Sequence, residues 1–246
     1  MRRLALALAL ASLTLPATAQ SVNIDLGTGG QAGATMRLVQ LTALIGLLSL
    51  APSLLVMATA FTRIAIVLSL LRSAIGAQGV PPNPVLIGLA LFLTLFVMQP
   101  VMEDSWQNGL VPMMEGRIGE IEGLAASAEP FRKFMASQVH EGDLALFLDL
   151  AGMPPVPENA RPDKLPWRAL LPAFLVSELK RAFEIGFLIF LPFLVIDMVV
   201  ASLLMSLGMM MLPPNVVSLP FKLIFFVLID GWRLVAGSLV QGFASG

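Results

Sequence analysis

The sequence predicts an all-α membrane protein built of kinked helical hairpins. Three observations carry that reading. Of its 246 residues, 57% are hydrophobic and 13% are charged, against about 25% charged in an ordinary soluble domain. The apolar residues fall in long, nearly charge-free runs without the period-two alternation of strands, and runs of that length favour helices. Prolines at 52, 100, 172, 192, 213, 214 and 220 lie in or beside those runs. Proline removes a backbone donor, and a broken backbone at membrane depth is tolerated only where protein or a wet cavity covers it. Helices of this kind are expected to pack on protein in an oligomer or hetero-complex.

The N-terminus reads as an export signal over residues 1–19. Arg2 and Arg3 precede the short apolar run Leu4–Leu15, and Ala17-Thr18-Ala19 offers a small-x-small cleavage pattern. Residues 20–37 form a flexible leader rich in Gly, Ser and Thr. Residues 38–102 form the first hydrophobic pair. The 25 uncharged residues Leu38–Thr62 are bounded by Arg37 and Arg63, with Pro52 midway, and the run resumes over Ile64–Leu71. Ser73–Pro82 is a Gly- and Pro-rich loop. Asn83-Pro84 starts a helix, with Asn as N-cap, that runs to Pro100.

Residues 103–166 form an acidic extracytoplasmic block, with eleven carboxylates against five Lys and Arg, a local balance of −6. Amphipathic patterns in Glu129–Leu150 predict helices there, and Met153–Pro166 reads as irregular. Residues 167–246 form the second hydrophobic pair: Trp167–Phe187 mixed, Gly186–Leu207 apolar and interrupted at Pro192, then Val216–Val240. The positive-inside rule puts Arg63 and Arg72 in the cytoplasm, the acidic block outside and the turn before Pro213 inside.

Whole classes of chemistry fall away. A net charge of −1 gives no reason to expect nucleic acid. There is no cysteine, and His140 is the single histidine, a solvated surface residue by its acidic setting. Glu103 and Asp104 have no second cluster to complete a metal site. Gly27–Gly33 lacks the Gly-Lys-Ser/Thr ending of a P-loop. No catalytic residue, cofactor or metal is expected, and the chain does not read as an enzyme.

The charges embedded in apolar segments are the first candidates. A charge at a helix centre costs about 2.5–3.5 kcal/mol on insertion scales unless it is paired or hydrated. Asp197 and Lys222 fall on consecutive antiparallel helices, so an ion pair is open to them. The pair reads as a structural bridge or as part of an ion or proton path. Lys222 and Asp230, about two turns apart, fall on nearly one face of a continuous helix. Glu178, Lys180, Arg181 and Glu184 are spaced for the pairs Lys180–Glu184 and Glu178–Arg181. Arg63 serves as a cytoplasmic marker or packs on a neighbour's carboxylate. The second candidate is Leu207-Gly208-Met209-Met210-Met211-Leu212-Pro213-Pro214, an apolar turn where a polar one is usual. Methionine is unbranched and adaptable. The run fits either irregular core or a deformable seal.

These residues resemble the FliP family of flagellar biosynthesis, whose injectisome counterpart is SctR. The resemblance rests on Phe61-Thr62-Arg63-Ile64 with Leu70-Leu71-Arg72, and on Pro81-Pro82-Asn83 before Gly88-Leu89-Ala90-Leu91-Phe92-Leu93-Thr94. It continues in Pro172-Ala173-Phe174 and Ser177-Glu178-Leu179-Lys180, then Ala182-Phe183-Glu184-Ile185-Gly186-Phe187. The methionine turn, Leu219-Pro220-Phe221-Lys222-Leu223 and Asp230-Gly231-Trp232 complete it. It runs collinearly from about Pro52 to the C-terminus. It implies a ring of several copies, completed by FliR and surrounded by FliQ. That ring encloses a channel for unfolded flagellar subunits at the basal body in the inner membrane, alongside other export-apparatus proteins. It implies a pore gasket at Met209, Met210 and Met211, a structural pair at Asp197 and Lys222, and a helical assembly largely raised above the lipid. The export signal points to the flagellar branch rather than the injectisome. An ion or proton-coupled transporter is the alternative of a different class.

Overall fold

Long apolar runs leave the backbone one economical solution, which is to close its hydrogen bonds inside the segment. The computed structural model describes residues 56–77, 79–154, 165–209 and 211–244, with single residues between 39 and 53. The expected export signal and leader, most of the first apolar run with Pro52, residues 155–164 of the Pro-rich stretch, and Met210 lie outside the described residues. The chain divides into two compact units, Met1–Leu50 and Ala51–Gly246. Every helix with defined bounds lies in the second.

Helix α1 (Phe61–Ile75) ends at Gly76, whose left-handed φ of 78° lets its N–H reach the Arg72 carbonyl. Arg63 lies inside α1 and does not bound it. Helix α2 (Asn83–Ser105) takes Pro82 as its N-cap. Asn83 is therefore the first helical residue rather than the cap, and its side chain accepts a hydrogen bond from Arg72. Pro100 does not end α2. The helix passes through a π-helical segment, Trp106–Leu110, into the short α3 (Val111–Met114). Loss of one donor costs less than freeing the remaining backbone groups in apolar surroundings.

The acidic block folds into α4 (Glu120–Gln138) and α5 (Glu141–Leu150), each with two acidic residues in its first turn, where the helix dipole favours them. Helix α6 (Trp167–Ser206) runs 40 residues through both Pro172 and Pro192, so the interruption expected at Pro192 is absent. At 1.5 Å per residue it is about 60 Å long, about twice a hydrocarbon core. The last apolar run is two helices, α7 (Pro214–Leu228) and α8 (Gly231–Ala244), bent by 62°.

Helix α1 is the central post. Its Ile64, Val67 and Leu68 pack with Leu86, Ala90 and Met98 of α2, Ala182 of α6, and Leu239 and Phe243 of α8. Near its end, Leu71, Ala74 and Ile75 meet Phe193 of α6 and Phe226 of α7. A third cluster, Met135, Leu170 and Phe174, joins α4 to α6. Two continuous stretches, Asn83–Met114 and Trp167–Ser206, are long and apolar enough to cross a membrane, with the bent α7–α8 pair a possible third. Only 22% and 17% of their apolar windows are buried within the chain, so most of that surface is left for lipid or other subunits.

The π segment brings Gly109 onto α4 so closely that a Cβ there would sit 2.5 Å from the Ser127 backbone nitrogen. Ser105 Oγ, 2.7 Å from the Ser127 carbonyl, ties the same joint. Gly109→Ala is expected to push α4 off α2 and cost about 1–3 kcal/mol as an overpacked contact. A lower thermal unfolding midpoint in detergent checks this, and an unchanged midpoint counts against backbone contact at this joint.

Candidate functional site: a methionine turn and two buried charge clusters

The first cluster is a polar knot inside an apolar bundle. Arg63, on the inner face of α1, is 2% exposed, and Glu178, from α6, is 0% exposed. Their side chains pair through two hydrogen bonds, Arg63 Nε lying 2.9 Å from Glu178 Oε2 and Nη2 bonding Oε1. Arginine suits this place because its planar fork matches a carboxylate and its face stacks on an aromatic ring. The guanidinium lies 3.7 Å from the centre of the Phe243 ring.

Both terminal nitrogens also find partners outside the carboxylate. Arg63 Nη2 donates to Gln138 Oε1 at 3.1 Å and Nη1 to the Gly242 carbonyl at 3.4 Å. Gln138 Nε2 donates to the Phe243 carbonyl at 3.3 Å, and Arg181 Nη1 donates to Gln138 Oε1 at 2.8 Å. One knot thus fastens α1, α4, α6 and α8. Next to Glu178, Ser177 Oγ accepts the His140 backbone N–H at 3.0 Å and donates to Asp143 at 2.7 Å, docking the start of α5 on α6.

This geometry corrects two expected pairs. Glu178 turns inward to Arg63, while Arg181 reaches sideways to α4, because a buried carboxylate gains more from a head-on fork than from a neighbour on its own helix. Lys180 and Glu184 are exposed and form no ion pair among the described residues. Arg63 meets a carboxylate of its own chain, 115 positions away.

The second cluster ties the last turn of α1 to the interiors of α6 and α7. Lys222 Nζ, on α7 and buried, lies 2.6 Å from Asp197 Oδ2 of α6 and 3.1 Å from the Ala74 carbonyl in the last turn of α1. A cation at a helix C-terminus also meets the negative end of the helix dipole. Ser218 Oγ donates to Asp197 Oδ1 at 2.5 Å. The carboxylate is thus held on both oxygens, and the ammonium serves two helices. Asp230 stands apart. It occupies the break between α7 and α8 with a left-handed φ of 52°, exposed, 3.9 Å from Arg233. The break removes the shared face with Lys222 that a continuous helix would supply.

The methionine turn caps the α6–α7 hairpin. Gly208, φ 73°, donates its N–H to the Met205 carbonyl, and the Met209 N–H reaches back to Leu204. These are the paired bonds of a Schellman motif, with Met209 in the residue after the glycine. Backbone bonds of Gly208 and Met209 thus set the start of the turn. Met209 is 44% exposed and Met211 98%, so neither fills a core within the chain.

Sequence reasoning missed Gln138 and Ser218. Ser218 had a signal, a lone hydroxyl one turn before Lys222 in an apolar run. Gln138 had none, because its partners come from helices far away in the chain.

Comparison with known proteins adds the family. The FliP family model matches residues 44–239. The chain belongs to the FliP family. It is 60% identical over 231 residues to the flagellar biosynthetic protein FliP of Caulobacter vibrioides, covering 94% of this chain and 85% of that one. Identity to the FliP of Pectobacterium carotovorum is 52%, with 91% and 85% covered, and to that of Bacillus subtilis 50%, with 83% and 91% covered. Membership in the FliP family assigns the chain to flagellum biogenesis, as a component of the flagellar export apparatus.

Removing one member of a buried pair strands the other charge, which costs about 3–5 kcal/mol. Glu178→Ala is therefore expected to abolish stable accumulation of the protein in membranes. Arg63→Leu combined with Glu178→Leu should recover part of the loss. Quantitative blotting of membrane fractions checks both; a single variant as abundant as wild type contradicts the knot. For the second cluster, Asp197→Ala should destabilise the hairpin. The exchange Asp197→Lys with Lys222→Asp should restore it only in part, since the new carboxylate would face the Ala74 carbonyl. A double-mutant cycle on unfolding measures the coupling, and zero coupling means the two charges act separately.

Proposed function

We propose that this chain is a subunit of the flagellar protein-export gate in the bacterial inner membrane. Copies form a ring completed by FliR, with FliQ packed around it, and the ring surrounds the path of unfolded flagellar subunits. The observation that carries this reading is the methionine turn, an apolar tip exposed on a hairpin whose base is locked by Asp197 and Lys222. A soluble loop would be polar, and a loop buried for stability would not leave Met211 almost wholly bare.

The mechanism follows from side-chain physics. Thioethers on flexible stems pack against one another by dispersion. Converging copies of the turn close a narrow path to water and ions. The same side chains change rotamer at little cost, so an extended polypeptide displaces them and they reclose behind it. The clamp lies about 12–14 Å of helix below the turn, at 1.5 Å per helical residue, so the seal deforms while its frame does not. Driving energy comes from other subunits, and this chain supplies the passage rather than the chemistry.

The decisive experiment replaces Met209, Met210 and Met211 with Ala or Gly in the complex isolated with its FliQ- and FliR-like partners. The complex should still assemble, and small-solute leakage through bilayers containing it should rise. Unchanged conductance argues against a gasket. Full transport by the isolated chain in liposomes would instead favour an autonomous transporter.

A further inference from the structure

We propose that the same turn is a peroxide-sensitive site, at which oxidation of Met211 to methionine sulfoxide loosens the closed gate. The inference rests on the gasket reading and adds a chemical control to it.

Reactivity of a thioether follows access to the oxidant, and the structure grades the methionines sharply. Met211, at 98%, is the most exposed methionine among the described residues, while Met98 and Met135 are 1% and 0% exposed. Leu207, Leu212 and Met205 around the tip are themselves 71%, 44% and 62% exposed, so the sulfur is open to a small neutral oxidant. At the water-facing rim of the closed ring, hydrogen peroxide meets the sulfur without having to cross the seal. In the reaction the sulfur lone pair attacks one peroxide oxygen and the O–O bond breaks. The sulfur gains one oxygen and is oxidised by two electrons, and the peroxide leaves as water after proton transfer. Methionine sulfoxide reductases reverse the change with a dithiol reductant.

The consequence is local. Sulfoxidation turns an apolar, adaptable side chain into a polar one, and a ring of polar tips attracts the water that a ring of thioethers excludes. The fold should tolerate it, because the Gly208 and Met209 backbone bonds set the start of the turn and the Asp197–Lys222–Ser218 cluster secures its base. The gate would lose tightness while the assembly stays whole.

The test uses the complex with its partners in planar bilayers, treated with dilute hydrogen peroxide. Site-resolved mass spectrometry should find sulfoxide first at Met211, well before Met98 and Met135. Conductance should rise several-fold in step with it and fall again after treatment with the two sulfoxide reductases. In the variant Met209→Leu, Met210→Leu, Met211→Leu, the ratio of conductance after peroxide to that before should stay near one, whatever its own baseline. Sulfoxide at Met211 with unchanged conductance overturns the proposal, as does oxidation at Met211 no faster than at the buried methionines. Failure of the gasket itself shows separately, as an Ala or Gly turn that does not leak.

Discussion

A guanidinium and a carboxylate meet in the bundle at a depth that leaves them almost no water, and the fold is arranged around their needs. Burying an ion pair is not intrinsically favourable, because desolvation of both charges can exceed their attraction. The cost is contained only when most donors and acceptors are used. Here the forked pairing with Glu178, the Gln138 side chain and the Gly242 carbonyl take four of the five guanidinium donors, and the Phe243 ring covers its face. The arrangement fixes more than stability. It specifies that the turn of α1 carrying Arg63 faces the turn of α6 carrying Glu178, and that the end of α8 closes over both. Apolar helices can slide past one another with little penalty, while a buried fork cannot slip by one residue without stranding a charge.

The two charge clusters divide the labour along α1. The knot near its start gathers α4, α6 and α8, and the Lys222 cluster at its end gathers α6 and α7. Between them the packing is apolar. Beyond the second cluster the α6–α7 hairpin runs on with exposed hydrophobic residues to the methionine tip. The two charge clusters are therefore paired within the chain, while much of the apolar surface of the described residues is left uncovered. That imbalance fits a subunit whose remaining area is closed by lipid and neighbouring chains.

Much of this was legible in sequence. Helical class, the acidic block, the apolar turn and the approach of Lys222 to Asp197 could be argued from composition, run length and antiparallel neighbours. Several local expectations met a stronger rule. Asn83 gave up its capping place to Pro82. Pro100 and Pro192 did not interrupt their helices, since long flanking apolar runs keep the other backbone bonds. Asp230 left the face of Lys222 because the chain breaks its helix there with a left-handed residue. The pairs read on α6 by spacing alone were the least secure, because spacing says which residues can meet on one helix and nothing about a better partner on another.

The sequence by itself determined the solvent this chain prefers, its helical content and the oddity of its methionine turn, all of which depend on local composition and periodicity. Its family follows from the same residues. Only the tertiary structure decided that Arg63 belongs to Glu178, that Gln138 joins them, and that Lys222 also caps α1. Those partners lie 75 to 148 positions apart, and no local rule connects them. A buried charge selects its partner by geometry after the helices have packed, so its identity is a property of the fold rather than of the segment that carries it.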